Sequence, residues 1–317
     1  MGSTTALSNN KSHWYSFSEK GVYRFNIQYG MWDPVAPTVH RRIYHDPAFA
    51  DPATNQLYVL NGCIGPDMRY GTLRYDTATS SSFNLTQNLQ GLGTDSGITA
   101  TWNSLKKTAF IFGGRGYLGD RGLRGLKVLY LYDPTSVGNI TAASVTGDRP
   151  TGRYDHCMVE AYNGTKMILF GGYEGGSHLN DIYILDVESM KWTKGTPAGP
   201  TVARGGASCA VTNDLFVAWG GATKSSATQM LTTVIRNVTI IYNLKTNQWQ
   251  DTYSPDPYVP PPPLSPAVTI PPNSGTKTGS GSDPTGTGAA VNSGATSGSN
   301  SSFGWIIGGA VGGGLAV

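Results

Sequence analysis

Charged residues are scarce in this chain: Lys, Arg, Asp and Glu make up 14% of its 317 residues, against about 25% in an average globular protein. The net charge of +3 is too small to indicate a nucleic acid or an acidic membrane surface as partner. No long stretch has a 3.6-residue apolar period, which argues against a helical architecture. Glycine (42 residues), aromatic and β-branched residues are abundant and predict all-β structure with many turns.

Motifs of common enzyme classes are missing as well. The chain contains no G-x-S-x-G, H-E-x-x-H or C-x-x-C, so hydrolase and zinc chemistry have no residue support. Its three cysteines are an odd number, which does not make a disulfide framework. We therefore expect a chain that is not an enzyme and that holds no cofactor and no metal.

The stretch from Arg153 to Trp192 reads as four short antiparallel strands. A tight turn at Asn163 and Gly164 lies between two apolar runs, which is a strong hairpin signal. The predicted strands are residues 156–162, 167–170, 181–186 and 190–193. Four antiparallel strands in about 40–50 residues are the unit of a β-propeller blade.

The order of the parts in this stretch resembles the kelch repeat: Arg-x-x-His, a buried strand ending in Gly-Gly, an aromatic strand with an acid, then Trp. The resemblance implies an all-β, kelch-type β-propeller over residues 21–252. Paired glycines then end the second strands, and Tyr and Trp wedge the blades together. The predicted structural residues of the repeat are Gly113, Gly114, Arg153, His156, Gly171, Gly172, Tyr183, Asp186, Trp192, Arg204, Gly220, Gly221 and Trp249.

Similar strand pairs recur about every 50 residues, the period expected for kelch repeats. Residues 21–26 and 31–32 look like the third and fourth strands of an earlier blade, without convincing first and second strands before them. We therefore predict about four and a half blades and an irregular segment at residues 1–20. If the ring has six blades, we expect one and a half blades to be missing upstream.

Cys157 and Cys209 fall in corresponding first strands of neighbouring blades, with an offset of one residue. A one-residue offset turns a side chain to the other face of its strand. We therefore expect both to be small buried hydrophobic side chains, although a disulfide between them stays an alternative.

The composition changes after residue 252. Residues 253–302 are rich in Pro, Gly, Ser and Thr, which predicts a disordered stalk. Residues 303–317 carry no charge and look like the start of a transmembrane helix or, alternatively, a lipid-anchor signal. This layout is similar to fungal cell-surface kelch proteins and implies a single-pass membrane protein with an extracellular propeller. The predicted glycosylation sites, all N-x-S/T, are Asn84, Asn139, Asn163 and Asn237.

Two possible catalytic or cofactor sites have weak residue support. Residues 114–119 form G-x-G-x-x-G after an apolar strand, the outline of a dinucleotide site. The following segment contains two internal glycines and no apolar stripe for the required helix. Kelch propellers also include galactose oxidase, in which two Tyr and two His hold copper. The histidines show no matching spacing; they are His13, His40, His45, His156 and His178.

Surface recognition is the function that remains. The resemblance implies that loops joining second to third strands lie on the face that peptide-binding kelch propellers use. Arg and Tyr are favoured at binding hot spots. The predicted ligand contacts are Arg69, Tyr70, Arg115, Tyr117, Arg121, Arg124, Tyr173 and His178. We expect a non-enzymatic cell-surface module that binds a protein, peptide or glycan and no nucleic acid. An intracellular kelch scaffold and a copper oxidase are the alternatives.

Overall fold

The computed structural model describes residues 4–8, 10–18, 21–36, 47–64, 69–85, 96–117, 123–125, 127–135, 140–224, 232–234 and 238–252. Over these ranges the regular structure is β, apart from a 3₁₀ turn at Pro200–Val202. The predicted stalk and membrane segment, residues 253–317, lie outside them. Within the described ranges the chain forms no helix with the length and apolar character that crossing a membrane requires.

Among the described residues the strands form seven sheets. Five of them are each built on four antiparallel strands in chain order, and we number them blades 1 to 5; the other two are two-stranded hairpins. Blade 1 consists of β1 (Thr4–Leu7), β2 (His13–Ser18), β3 (Gly21–Asn26) and β4 (Met31–Ala36). Blade 2 consists of β5 (Ala48–Asp51), β6 (Gln56–Ile64), β7 (Arg69–Asp76) and β8 (Ser81–Leu85). Four-residue turns at 27–30, 52–55 and 77–80 join the strands on either side of them.

Blades 3 to 5 follow the same plan, with extra strands at their ends. Blade 3 consists of β9 (Ser96–Asn103), β10 (Thr108–Tyr117), β11 (Leu123–Gly125), β12 (Leu129–Tyr132) and β13 (Ile140–Ala142), where β11 pairs only with the end of β10. Blade 4 consists of β14 (Thr146–Gly147), β15 (Cys157–Ala161), β16 (Lys166–Phe170), the hairpin β17 (Tyr173–Glu174) and β18 (Ser177–His178), β19 (Ile182–Asp186) and β20 (Lys191–Lys194). Blade 5 consists of β21 (Ser208–Thr212), β22 (Leu215–Trp219), the hairpin β23 (Ala222–Lys224) and β24 (Thr232–Val234), β25 (Thr239–Asn243) and β26 (Gln248–Gln250).

The first strands of successive blades lie against one another, β1 on β5, β5 on β9, β9 on β15 and β15 on β21. This is the five-blade propeller arrangement, with the first strands innermost. The four buried apolar clusters each fill the space between two consecutive blades.

Each of these four interfaces contains an aromatic pair. The pairs, with the distances between ring centroids, are Phe17–Tyr75 at 5.7 Å, Phe49–Trp102 at 6.1 Å, Phe112–Trp192 at 6.2 Å and Phe170–Phe216 at 5.8 Å. Aromatic rings bury large apolar areas and add about 0.5–1.5 kcal/mol per pair through their geometry. The expectation that Tyr and Trp wedge the blades together is confirmed at three of these interfaces, and phenylalanines form the pair named at the fourth.

The prediction of half a blade at the start of the chain is wrong. β1 and β2 supply its first and second strands, so blade 1 has four strands, and Thr4–Leu7 and His13–Ser18 of the segment predicted to be irregular are strands. β2 alternates in burial, with Tyr15 and Phe17 facing blade 2. It was missed because Ser18 ends it where the repeat has Gly-Gly, and because β1 has only four residues.

The expectation that Cys157 and Cys209 stay unbridged is also wrong, because a disulfide joins them across the interface of blades 4 and 5, with the Cα atoms 6.1 Å apart. The one-residue offset is real: Cys157 lies opposite Phe170, the last residue of β16, and Cys209 lies opposite Ala218, one residue before the end of β22. Neighbouring blades, however, present opposite faces to each other. An odd offset therefore brings two side chains together instead of separating them.

Candidate binding site on the hairpin rim

Four connections between second and third strands form β-hairpins at one end of the blades, and we call them the hairpin rim. They are the ends of β6 and β7, the end of β10 with β11, β17 with β18, and β23 with β24. Neighbouring hairpins contact each other, β11 against β17 and β18 against β23. The sequence predicted loops here, and the structure replaces much of them with paired strands.

The best described part of the rim is an aromatic cluster on blade 4. Tyr173 pairs with His178 across the hairpin, and their rings meet edge to face with centroids 5.1 Å apart. The ring of Tyr154, from the connection that enters blade 4, lies 5.1 Å from that of Tyr173. All three side chains are half-buried, so each exposes part of its surface to solvent.

The rim is held from below by the connections that carry Arg153 and Arg204. The amide of Gly114 in blade 3 donates to the carbonyl of Arg153 (2.9 Å), and Tyr154 and Tyr173 exchange two backbone hydrogen bonds (2.8 and 3.2 Å). One blade further on, the amide of Gly172 donates to the carbonyl of Arg204 (2.8 Å).

The hairpin bases of blades 3 and 4 are thus joined by their backbone to the connections that enter blades 4 and 5. This backbone linkage fixes the hairpins relative to one another.

The Arg153 side chain fixes the base of the blade 4 hairpin. It is fully buried, and its guanidinium donates two hydrogen bonds to the carboxylate of Asp181, at 2.6 and 3.1 Å. The same group donates to the carbonyl of Gly171 (3.0 Å) and lies 5.3 Å from the centre of the Tyr183 ring. A bidentate Arg–carboxylate pair is strong and directional, so Asp181 holds the strand that follows the hairpin.

His156 is buried between blades 3 and 4. Its ring packs edge to face on Phe112, with centroids 5.5 Å apart, and neither ring nitrogen has a hydrogen-bond partner. Burial, with a contribution from the positive charge of Arg153, lowers the pKa of His156 to about 3, so it is neutral at physiological pH. A Cβ on Gly113 would collide with the His156 ring and with the Arg153 carbonyl. A neutral, apolar contact of this kind suits packing better than catalysis.

The other repeat residues also take part in packing or turn formation. Asp186 accepts hydrogen bonds from Lys166 (2.5 Å) and from the amide of Ser189 (2.8 Å) in the turn before β20. Trp192 is buried, and the indole of Trp249 donates to the carbonyl of Thr196 (2.7 Å).

For several predicted ligand contacts the structure gives the backbone position alone. Arg69 lies opposite Ile64, and Tyr70 lies opposite Cys63. In blade 3, Arg115 lies opposite Gly125, Tyr117 opposite Leu123 and Arg124 opposite Gly116. Arg121 lies outside the described residues. The rim therefore brings the other five residues to one end of the propeller, while their contact with a ligand stays a prediction.

The structure gives positions for part of the G-x-G-x-x-G segment and for two of the four predicted glycosylation sites. Residues 114–117 continue β10 into a hairpin and do not open a helix. Asn163 is exposed in the turn after β15, Asn84 lies in β8, and Asn139 and Asn237 fall outside the described residues. In the part of the chain that the structure describes, no group of three or more His, Cys, Asp or Glu side chains is arranged to hold a metal ion.

Sequence reasoning missed Asp181 as a partner of Arg153. Its signal was available, because a fully buried arginine requires a carboxylate or several carbonyls, and Asp181 is the acid that directly precedes β19.

A family profile described as the KLHDC2/KLHL20/DRC7 Kelch-repeats domain matches residues 97–277, more than half of the chain. The chain is also 47% identical over 77 residues to the Rho GTPase-activating protein gacHH of Dictyostelium discoideum, covering 23% of this chain and 5% of that protein. It is 29% identical over 119 residues to acyl-CoA-binding domain-containing protein 5 of Arabidopsis thaliana (36% and 16%), and 28% identical over 149 residues to protein 4 of that series (45% and 20%). The chain thus spans at most a fifth of the length of these relatives.

Proposed function

This chain belongs to the kelch-repeat family, and on that premise we propose that its hairpin rim binds a protein or peptide ligand without catalysing a reaction. The observation that carries the proposal is the lateral contact between the hairpins of blades 3, 4 and 5. Because these hairpins touch, they form one continuous surface. Their bases are joined by backbone hydrogen bonds, so the surface is organised before a ligand arrives, which lowers the entropy cost of binding.

The side chains on this surface suit a polypeptide. Tyr173, His178 and Tyr154 supply rigid rings that lose little conformational entropy on binding and combine an apolar face with a polar end. The arginines of the blade 3 hairpin add positive charge along the sequence of the rim. An acidic or aromatic peptide, or a glycan stacked on the tyrosines, matches this composition.

A random twelve-residue peptide display library, selected on the full chain, tests the proposal. We expect selected peptides to lose at least tenfold in affinity for Tyr173→Ala and for His178→Ala. The control is Tyr162→Ala, a tyrosine with 40% exposure in the turn between β15 and β16, at the opposite end of the blade. A glycan array on the same variants covers the glycan alternative. Ligands that respond to Tyr162→Ala and ignore the rim variants would contradict the proposal.

We further propose that the propeller faces the outside of the cell. Two observations support this location. The Cys157–Cys209 disulfide is of a kind that persists in oxidising compartments and is rare in the cytosol. The Asn163 sequon lies in an exposed turn that an oligosaccharide transferase can reach. The stalk-like and apolar composition after residue 252 fits the same layout.

Fractionation of cells that express the chain tests the location. We expect a faster-migrating band after glycosidase treatment and extraction only with detergent. The matched control is Asn163→Gln, which removes one glycan step and leaves the membrane association unchanged. Recovery of an unmodified chain in the cytosolic fraction would instead favour the intracellular scaffold. Absence of stoichiometric copper in the purified chain would remove the oxidase alternative.

The names of the curated relatives include a Rho GTPase-activating protein and acyl-CoA-binding proteins. Those activities are named for proteins of which this chain spans at most a fifth, so we do not include them in the proposal. The feature that supports a shared role is the kelch domain itself.

A further inference from the structure

Two arginines occupy corresponding positions at the bases of neighbouring hairpins and differ in one partner. Arg153 enters blade 4 and Arg204 enters blade 5, and both are buried, with exposures of 0% and 1%. The Nη1 group of each donates to the carbonyl of the first glycine after the second strand, Gly171 (3.0 Å) and Gly220 (3.1 Å). Arg153 in addition holds the Asp181 carboxylate with two hydrogen bonds.

Arg204 has no carboxylate among its described partners. Its Nε donates to the carbonyl of Val202 (2.9 Å), its Nη1 also donates to the carbonyl of Val238 (3.0 Å), and its Nη2 is buried without a hydrogen-bond partner. Val238 precedes β25 as Asp181 precedes β19. The strand registers agree, because Ile182 pairs with the last residue of β16 and Thr239 with the last residue of β22.

A buried guanidinium nitrogen without a partner is costly, since it has lost its water and gained no hydrogen bond. Burial also lowers the pKa of Arg204. The planar group matches a carboxylate in two parallel hydrogen bonds. Blade 5 thus keeps the cation of this pair and has a valine in place of the anion.

The place of the missing carboxylate lies at the surface of the rim. The Asp181 side chain is 15% exposed in blade 4, and Val238 is 42% exposed in blade 5. The backbone of Arg204 accepts from Gly172 and donates to Leu179 below the blade 4 hairpin, and its neighbour Gly205 pairs with Ala222 of the blade 5 hairpin. Nη2 is itself covered, so a carboxylate reaches it only after a local rearrangement of the surrounding groups.

We propose that Arg204 forms a carboxylate-binding position on the hairpin rim, where an external carboxylate accepts hydrogen bonds from Nη2, as Asp181 does from Nη2 of Arg153. The source is either an acidic side chain of a bound polypeptide or a small free carboxylate. The first source rests on the proposed binding function of the rim, whereas the position itself does not.

Thermal unfolding of the full chain in sodium acetate, against equal concentrations of sodium chloride, tests the position. At acetate about ten times its dissociation constant, we expect the unfolding midpoint to rise by about 3–6 °C relative to chloride. Val238→Asp supplies the anion from within, so it should raise the midpoint in chloride and abolish the acetate increment.

The matched control is Val128→Asp. Val128 precedes β12 at the same register of blade 3 and is 38% exposed, and the sequence has Asp95 where Arg153 stands in blade 4. An aspartate there should leave the acetate increment intact. Asp181→Val should lower the midpoint and enlarge the increment, because it creates a second position. Equal midpoints in acetate and chloride for the natural chain, or identical effects of Val238→Asp and Val128→Asp, would overturn the proposal.

A blocked tripeptide, acetyl-Gly-Glu-Gly-amide, with its Gln analogue as control, distinguishes the two sources. A Glu-dependent rise of the midpoint that Val238→Asp removes indicates an acidic side chain. A response to acetate alone indicates a small free carboxylate. Tyr173→Ala should leave the acetate increment unchanged, so failure of the rim as a peptide site and failure of this position give different results.

Discussion

Replacement of Cys157 and Cys209 by alanine should strongly destabilise the propeller. The two residues are 52 positions apart in the chain, and closing a loop of that length in the unfolded state corresponds to about 4 kcal/mol in the chain-entropy treatment of disulfides. For a domain of this size, 1 kcal/mol corresponds to about 2–4 °C. We therefore expect the unfolding midpoint of the double variant to fall by about 8–16 °C.

Single variants separate the cross-link from side-chain packing. Cys157 is 1% exposed and Cys209 is 4% exposed, so each substitution also removes one buried sulfur. Because a disulfide joins the two residues, Cys157→Ala already loses the whole cross-link. Adding Cys209→Ala then costs only a small amount of packing energy. The free energies of unfolding from urea titrations, with and without reductant, measure this difference.

Thiol counting provides the independent check. The chain has three cysteines, so the denatured protein should expose one reactive thiol, that of Cys63, without reductant and three with it. Reductant should lower the midpoint of the natural chain and leave that of the double variant unchanged. Three reactive thiols without reductant, or two single-variant costs that simply add, would refute the reasoning.

Two further predictions concern the contact between Gly113 and His156. Gly113→Ala should lower the free energy of unfolding by about 3 kcal/mol or more, because positive φ costs roughly 1–2 kcal/mol for alanine and the new Cβ collides with the Arg153 carbonyl and the His156 ring. The control is Gly206→Ala, at φ +67 with nothing within 4 Å, which loses only the cost of the positive φ. Equal losses for the two variants in urea unfolding would contradict this account. His156 has a folded-state pKa of about 3 against an ordinary value of 6.5. The stability that the neutral ring contributes is therefore fully present above pH 6.5. As the pH falls from 6.5 towards 3, the free energy of unfolding decreases by about 1.4 kcal/mol per pH unit. His156→Gln should remove this slope between pH 6 and 4.5, and equal slopes in the two proteins would count against it.

Local sequence signals are sufficient for most of the fold. Strand β16 was predicted within one residue, because an apolar run bounded by a tight turn and by Gly171-Gly172 has few other solutions. Both glycines have positive φ, 65° and 102°, which explains why the repeat needs glycine there. Such signals act within a few residues of the chain and are readable without knowledge of packing.

Contacts between residues far apart in the chain account for the missed bridge and the missed ion pair. The Cys157–Cys209 bridge depends on which faces of neighbouring sheets meet, and that is a property of their arrangement rather than of either strand. The pairing of Arg153 with Asp181 spans a hairpin whose length varies between blades. The rim side chains show the same limit, since the sequence places them at one end of the propeller and their mutual contacts depend on hairpin geometry.

Several residues of the repeat therefore act at the contact between successive blades rather than within a single blade. In blade 3, Gly113 leaves space for the His156 ring, and the amide of Gly114 donates to the carbonyl of Arg153. In blade 4, the amide of Gly172 donates to the carbonyl of Arg204. A blade with the full pattern is fixed to its successor by backbone as well as by aromatic packing. Tyr173 in the blade 4 hairpin and Arg204 in the connection that enters blade 5 lie at one such contact. Backbone hydrogen bonds fix both before a ligand binds, so a ligand that touches both would bind where the rim is already ordered.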